Sequence, residues 1–217
     1  MKYYLKYLWR LMRRKPSRYR HLYRAVHKTK AKHIMEIGVF NAYNSRLMIE
    51  TALIHHKPED IHFYGFDLFE MMNDEIHKKE FSKRPRTEKE VLDLLEPYGI
   101  NVHLYSGYTQ KSLPPFVEEC KKNNLSMDFI FIDGGHHIDT IKNDWDFSKQ
   151  LMDDSTVTIF DDYYILKEPV EALKEAGCQD LIPSIREEGF NVEILNPVNT
   201  FPKEWGDLCI KFVRVTR

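Results

Sequence analysis

The stretch HIMEIGVFNAYNS, His33 to Ser45, is a short apolar run that stops at a glycine and passes into a helical pattern. His33–Ile37 reads as a buried strand, Gly38 as a turn, and Ser45–His56 as the helix that follows. The same unit recurs outward along the chain. Apolar runs stand at Ile61–Phe66, Val102–Tyr105, Phe129–Ile132 and Val157–Phe160, and helical candidates lie at Thr87–Glu96, Leu113–Asn123, Thr140–Met152 and Val170–Glu175. Strand–helix alternation of this kind predicts an α/β fold with a doubly wound, mostly parallel sheet and right-handed crossovers. The tail departs from it. Asn191–Leu195 and Leu208–Val215 are strand-like runs with no helix between them, so a C-terminal antiparallel hairpin is expected at the sheet edge.

Before His33 the pattern is different. Leu5, Leu8, Trp9 and Met12 recur at helical spacing up to Pro16, and a second helix is expected over Arg18–Lys28 with Ser17 as its N-cap. Residues 1–32 carry six Lys, six Arg and no acid; the other 185 residues carry 20 basic and 33 acidic side chains. The overall net charge of -1 is therefore the sum of a leader at +12 and a body at −13. We divide the chain into a basic helical N-terminal extension, 1–32, and one domain, 33–217. A length of 217 residues with 42% hydrophobic side chains suits such a domain and excludes a disordered or multi-domain protein. Three widely spaced cysteines argue against a secreted disulfide scaffold, and no apolar run is long enough to span a bilayer. A cytoplasmic protein is expected, peripheral at the membrane if the leader binds lipid.

In an open parallel sheet, ligands bind at the carboxyl ends of the strands. There the first strand delivers Glu36, Gly38, Asn41 and Ser45, and the second delivers Asp67, suited to accept hydrogen bonds from a ribose. Phe40 and Tyr43 stand where a dinucleotide site would have glycines, so a ligand with a ribose but no pyrophosphate fits better. Ser106 and Gly107 follow the third strand. The fourth ends in Asp133-Gly134-Gly135-His136 and the fifth in Asp161-Asp162-Tyr163. Three converging carboxylates raise one another's pKa unless a cation neutralises them. An all-oxygen set points to magnesium, or to manganese or calcium.

These residues resemble the class I S-adenosylmethionine-dependent methyltransferases over about residues 18–217, with their Rossmann-like fold. In particular they resemble the metal-dependent small-molecule O-methyltransferases that include the macrocin type and, more distantly, the catechol type. The resemblance implies S-adenosylmethionine as cofactor, held by Glu36, Gly38, Asn41, Ser45, Asp67, Ser106, Gly107 and Asp133. It implies a divalent metal, Mg²⁺ first, on Asp133, Asp161 and Asp162, with catalytic roles for Asp133 and for His136 as the proton acceptor. The acceptor would be a hydroxyl of a sugar, glycoside or phenol.

Other readings stay open. Asp161-Asp162 can cap a helix, His136 can be structural, Ser106-Gly107 suit any tight turn, and Asp144 suits its own helix. Trp145 and Trp205 read as packing. Phe69–Arg86, highly charged and aperiodic, reads as a mobile loop in which Met71 and Met72 can line a lid. The leader can pack on the acidic body, lie on an anionic membrane, or cover the site. Nucleic acid ranks lowest as a partner, and a homo-oligomer is left open. A metal-dependent hydrolase or oxygenase-like enzyme, or a non-catalytic binding protein, would account for the same acids.

Overall fold

Runs that are apolar at every position bury both faces, which is why they form the inner strands of the sheet. In the computed structural model, which describes residues 2–79, 84–166 and 168–217, β1 (His33–Ile37), β2 (His62–Asp67), β3 (Asn101–Ser106), β4 (Phe129–Ile132) and β5 (Val157–Ile165) pair in parallel. The sheet runs β3-β2-β1-β4-β5 and continues through two C-terminal strands, so the strand order reverses between β1 and β4. Register sets Glu36 beside Gly65 on one side and Phe131 on the other.

The expected C-terminal pairing is richer than a simple hairpin. β8 (Gly206–Thr216) lies between β5 and β6 (Asn191–Ile194), antiparallel to both, and a further strand, β7 (Asn199–Lys203), pairs with the first half of β8. β7 holds Pro202, tolerable because β7 is an edge strand. β5 also runs beyond its expected end. Asp161 and Asp162 lie inside it, at an irregularity between Phe160 and Tyr163 where Asp162 takes a left-handed φ of 60°.

Eight α-helices surround the sheet among the described residues: α1 (Lys2–Arg13), α2 (Arg20–Thr29), α3 (Tyr43–Ala52), α4 (Asp74–Lys79), α5 (Glu88–Leu95), α6 (Thr109–Lys122), α7 (Ile138–Ser148) and α8 (Ile182–Glu187). The helix expected over Val170–Glu175 reduces to a 3₁₀ turn at Glu171–Leu173, and α8 is too short for its periodicity to register in the sequence. The segment Phe69–Arg86 contains a 3₁₀ turn, Phe69–Met71, and α4; residues 80–83 of the expected loop lie outside the described residues.

Two apolar layers hold the sheet. Ile34, Phe63, Phe129 and Phe212 face α2 and α3, whereas Met35, Phe66, Ile130 and Phe160 face α6 and α7. The leader contributes directly to the first layer, because Leu22, Tyr23 and Val26 of α2 are fully buried in it. At about 1.5–3 kcal/mol each, these three alone anchor α2 strongly. α1 docks through Lys6 and Arg10 on the buried Glu50 of α3 and through Tyr7 stacked 4.5 Å from His27. Its other side leaves Leu5, Leu8, Trp9 and Met12 exposed.

α2 starts at Arg20, not Arg18. Ser17–Tyr19 forms a 3₁₀ turn, and Ser17 makes no capping bond; its Oγ instead accepts from Asn199 of β7 at 3.3 Å. Asn199 Oδ1 in turn accepts the Arg18 N–H at 3.1 Å. Clamped in this way, the turn sets Arg18 and Tyr19 against Asp161 in the middle of β5.

Candidate active site

A cleft of about 910 Å³ opens at the carboxyl ends of the strands, over the reversal between β1 and β4. On one side it is lined by Gly38, Phe40, Asp67, Gly107 and Thr109. Gly38 is sterically obligatory: its φ is 93°, and a Cβ there would come 1.9 Å from the Asp133 carbonyl oxygen. Its N–H donates to Phe66 O at 2.8 Å, while Asp133 N donates to Ile37 O at 2.8 Å, so the loop is pinned between β2 and β4.

Phe40 and Ala42 adopt left-handed φ values of 53° and 56°, a region that favours glycine. Such conformations cost an L-residue roughly 1–2 kcal/mol each. Asp67 offsets part of that cost. Its Oδ2 accepts from Phe40 N at 2.7 Å, and its Oδ1 from Leu68 N at 2.7 Å and from Phe69 N at 3.4 Å, so the backbone fixes the carboxylate where it lines the cleft.

The other expected cofactor residues are distributed differently. Glu36 and Ser45 are fully buried and hydrogen-bonded to each other, behind the cleft wall rather than in it. Burial, with a smaller contribution from Asp67, pushes the Glu36 carboxyl up to about 8, although the Ser45 hydrogen bond acts the other way. Asn41 is exposed and folds back on Tyr43 N at 3.0 Å, and Ser106 is exposed outside the lining. Gly107 and Asp133 do line the cleft.

The acid cluster departs most from expectation. Asp161 is salt-bridged by Arg18, with Nε to Oδ1 and Nη2 to Oδ2 both at 2.9 Å, and Oδ2 also accepts from the Tyr19 hydroxyl at 2.9 Å. Its Oδ1 accepts Asp162 N as well, at 2.7 Å. Asp162 pairs with His136 Nε2 at 3.0 Å and accepts from the Tyr164 hydroxyl. Burial and the two neighbouring carboxylates push Asp133 well above the ordinary carboxylate range; burial and Asp162 also raise Asp161, whereas His136 holds Asp162 down.

The expected metal set of Asp133, Asp161 and Asp162 thus does not fit as a coordination shell. The Asp161 oxygens are committed to a guanidinium, a phenol and a backbone N–H, and Asp162 to an imidazole and a second phenol. Among the described residues no three His, Cys, Asp or Glu side chains are arranged to hold a metal ion.

The far wall comes from residues that the sequence reading did not assign to the site. Arg18 and Tyr19 from the leader, Tyr164 from β5, and Phe201, Trp205 and Leu208 from the β7–β8 hairpin line it. Trp205, read as packing, is 44% exposed and borders the cleft; Trp145, buried at 1%, is packing. Met72 and Ile76 line the cleft, whereas Met71 is exposed and outside the lining. Asp144 is fully buried at the cleft edge and accepts from Asn143 Nδ2 at 3.2 Å. His137 begins α7, where its ring accepts from Asp139 N. The signal available in sequence for Arg18 was the charge split: a leader with no acid beside a body with converging carboxylates.

Sheet order, the obligatory Gly38 and the acid-ended strands together define a Rossmann-like fold of the class I methyltransferase type. A methyltransferase-domain family matches residues 35–163, and the chain belongs to that family. No curated protein matches the sequence.

Among solved structures, the O-methyltransferase from Bacillus cereus in complex with SAH is 15% identical with a TM-score of 0.62, covering 94% of this chain and 83% of that one. TomG from Streptomyces achromogenes, an O-methyltransferase involved in tomaymycin synthesis and solved with SAM, is 14% identical with a TM-score of 0.63, covering 94% and 82%. At these identities the likeness establishes the fold.

Proposed function

We propose that the chain transfers a methyl group from S-adenosylmethionine to a hydroxyl of a small molecule, a phenol, sugar or glycoside. The observation that carries this reading is a single cleft with two unlike ends. Gly38, Asp67 and Gly107 form a close-backbone, ribose-compatible end beside β1 and β2, while Tyr19, Tyr164, Phe201 and Trp205 form an aromatic end beside β5. Asp133 lies between them; its carboxyl is raised by burial and by its neighbours, and an arriving sulfonium favours its ionised form. Neighbours of the same fold solved with SAM or SAH support the choice of cofactor.

In this mechanism the aromatic walls orient the acceptor and exclude water, so that its oxygen approaches the methyl carbon in line. The lone pair forms the new O–CH₃ bond, the C–S bond pair returns to sulfur, and neutral S-adenosylhomocysteine leaves. The hydroxyl proton passes to His136, oriented by Asp162. A divalent metal, expected from the resemblance, has no part here because Arg18, Tyr19 and His136 take up the oxygens it would need.

The test is calorimetry with S-adenosylhomocysteine followed by transfer of labelled methyl to a panel of hydroxyl compounds. Binding without added metal is expected, and absence of binding defeats the reading. His136→Ala should lower turnover at least 100-fold, as loss of a general base does, with cofactor affinity retained; unchanged turnover removes His136 from the mechanism.

We further propose an anionic membrane surface as a partner. Leu5, Leu8, Trp9 and Met12 form one exposed face of α1, flanked by Lys2, Arg13 and Lys15, the pattern of a helix lying in a lipid interface.

A further inference from the structure

We propose that Arg18 is the resident cation of the acceptor site: it takes the place of a divalent metal on Asp161 and presents its remaining guanidinium edge to the acceptor oxygen. This rests on the methyltransferase reading above. Four observations carry it.

The pairing is bidentate and side-on, using Nε and Nη2 at 2.9 Å each, so the fork is fixed rather than merely nearby. The rings of Tyr19, Phe201 and Phe212 lie 4.7, 5.7 and 5.4 Å from the guanidinium carbon and hold it from three sides. Its backbone N–H is tied to Asn199. Most telling, Nη1 is buried with no hydrogen-bond partner, although Arg18 lines the cleft.

A buried, unsatisfied charged donor costs on the order of 1–3 kcal/mol, and a site that tolerates it is built for a ligand oxygen. An acceptor hydroxyl on Nη1 meets a positive charge that stabilises its developing phenolate or alkoxide, which is the task a metal would otherwise perform. The electron bookkeeping of the transfer is unchanged: the proton goes to His136, the oxygen lone pair to the methyl carbon, and the C–S pair to sulfur. Charge also balances locally. The cations on Asp161 and Asp162 come from Arg18 and from His136 when it is protonated, with no divalent ion required.

The experiment uses the full chain with S-adenosylhomocysteine and two probes. Mn²⁺ binding is followed by electron paramagnetic resonance in the parent, Arg18→Lys and Arg18→Ala proteins. The parent should hold no stoichiometric Mn²⁺ at 100 μM, a concentration on the order of typical weak-site affinities. Arg18→Ala, which vacates Asp161, should gain a site; a stoichiometric site in the parent overturns the proposal.

The second probe, 4-nitrophenol, is titrated by absorbance of its phenolate band. The parent should bind the phenolate at least tenfold tighter than Arg18→Lys, which keeps the charge but loses the fork. Equal affinity in the two proteins overturns the acceptor contact. If Arg18→Ala fails to fold, Arg18→Lys and the parent Mn²⁺ measurement still decide. S-adenosylhomocysteine calorimetry on the same samples separates a failure of the methyltransferase reading, seen as no cofactor binding, from a failure of the Arg18 assignment.

Discussion

Glu36→Gln should remove a pH dependence of stability that its buried carboxyl imposes. The side chain is 1% exposed, and its pKa is pushed from 4.5 up to about 8, chiefly by burial. The folded state therefore favours the protonated form. Below pH 4.5 the carboxyl is neutral in both folded and unfolded chains and has no differential effect. Between 4.5 and about 8 the unfolded chain ionises while the folded one stays protonated, so stability falls as pH rises.

Above about 8 both states are charged and the loss levels off. At about 1.4 kcal/mol per tenfold change, the full excursion is on the order of 4–5 kcal/mol. Glutamine keeps the shape and can still accept from Ser45 but cannot ionise. Urea midpoints at constant m-value should place the variant within about 1 kcal/mol of the parent at pH 5 and several kcal/mol above it at pH 8.5. All other titrating groups are common to both proteins and cancel in the difference. Parallel stability curves for the two proteins would refute the burial argument.

Gly38→Ala should destabilise by more than about 4 kcal/mol and abolish S-adenosylhomocysteine binding, because the new methyl would lie 1.9 Å from a backbone oxygen; an unchanged melting temperature contradicts this. Phe201→Ala and Trp205→Ala should raise the KM for a hydroxyl acceptor while leaving cofactor affinity within about threefold, since both line the aromatic end. Steady-state kinetics on the first active acceptor checks it. Leu5→Glu with Trp9→Glu should reduce pelleting with phosphatidylserine vesicles at least tenfold, and equal pelleting removes the lipid surface as a partner. Burial pushes the Cys120 thiol up to about 11, so at pH 8 a maleimide should label Cys209 first; mass spectrometry reads the order of labelling.

Much of the central sheet was legible because burial on both faces leaves a plain apolar run: His33–Ile37 and Phe129–Ile132 fall on β1 and β4 residue for residue. β7 was not legible. An edge strand buries little, and Asn199–Lys203 carries Pro202 and exposed side chains that resemble a loop. The acids of the cleft were visible as residue types at strand ends, but their partners were not. Arg18 meets Asp161 across 143 positions of sequence, and no local periodicity encodes such a contact. Packing of the leader on the body was among the open readings, but its basic composition gave no sign that Leu22, Tyr23 and Val26 close one face of the core.

The Arg18–Asn199 clamp joins positions 181 residues apart. Contacts of such separation impose a large loop-closure cost and form late, after local helices and neighbouring strands have assembled. The acceptor end of the cleft is complete only when the leader, the middle of β5 and the final hairpin are all in place. A chain halted before β7 would keep the residues of the ribose-compatible end yet lack the clamp for the Arg18 turn and Phe212 of the core layer. Cofactor binding and methyl transfer should consequently appear at different stages as the chain is completed, the first without the second.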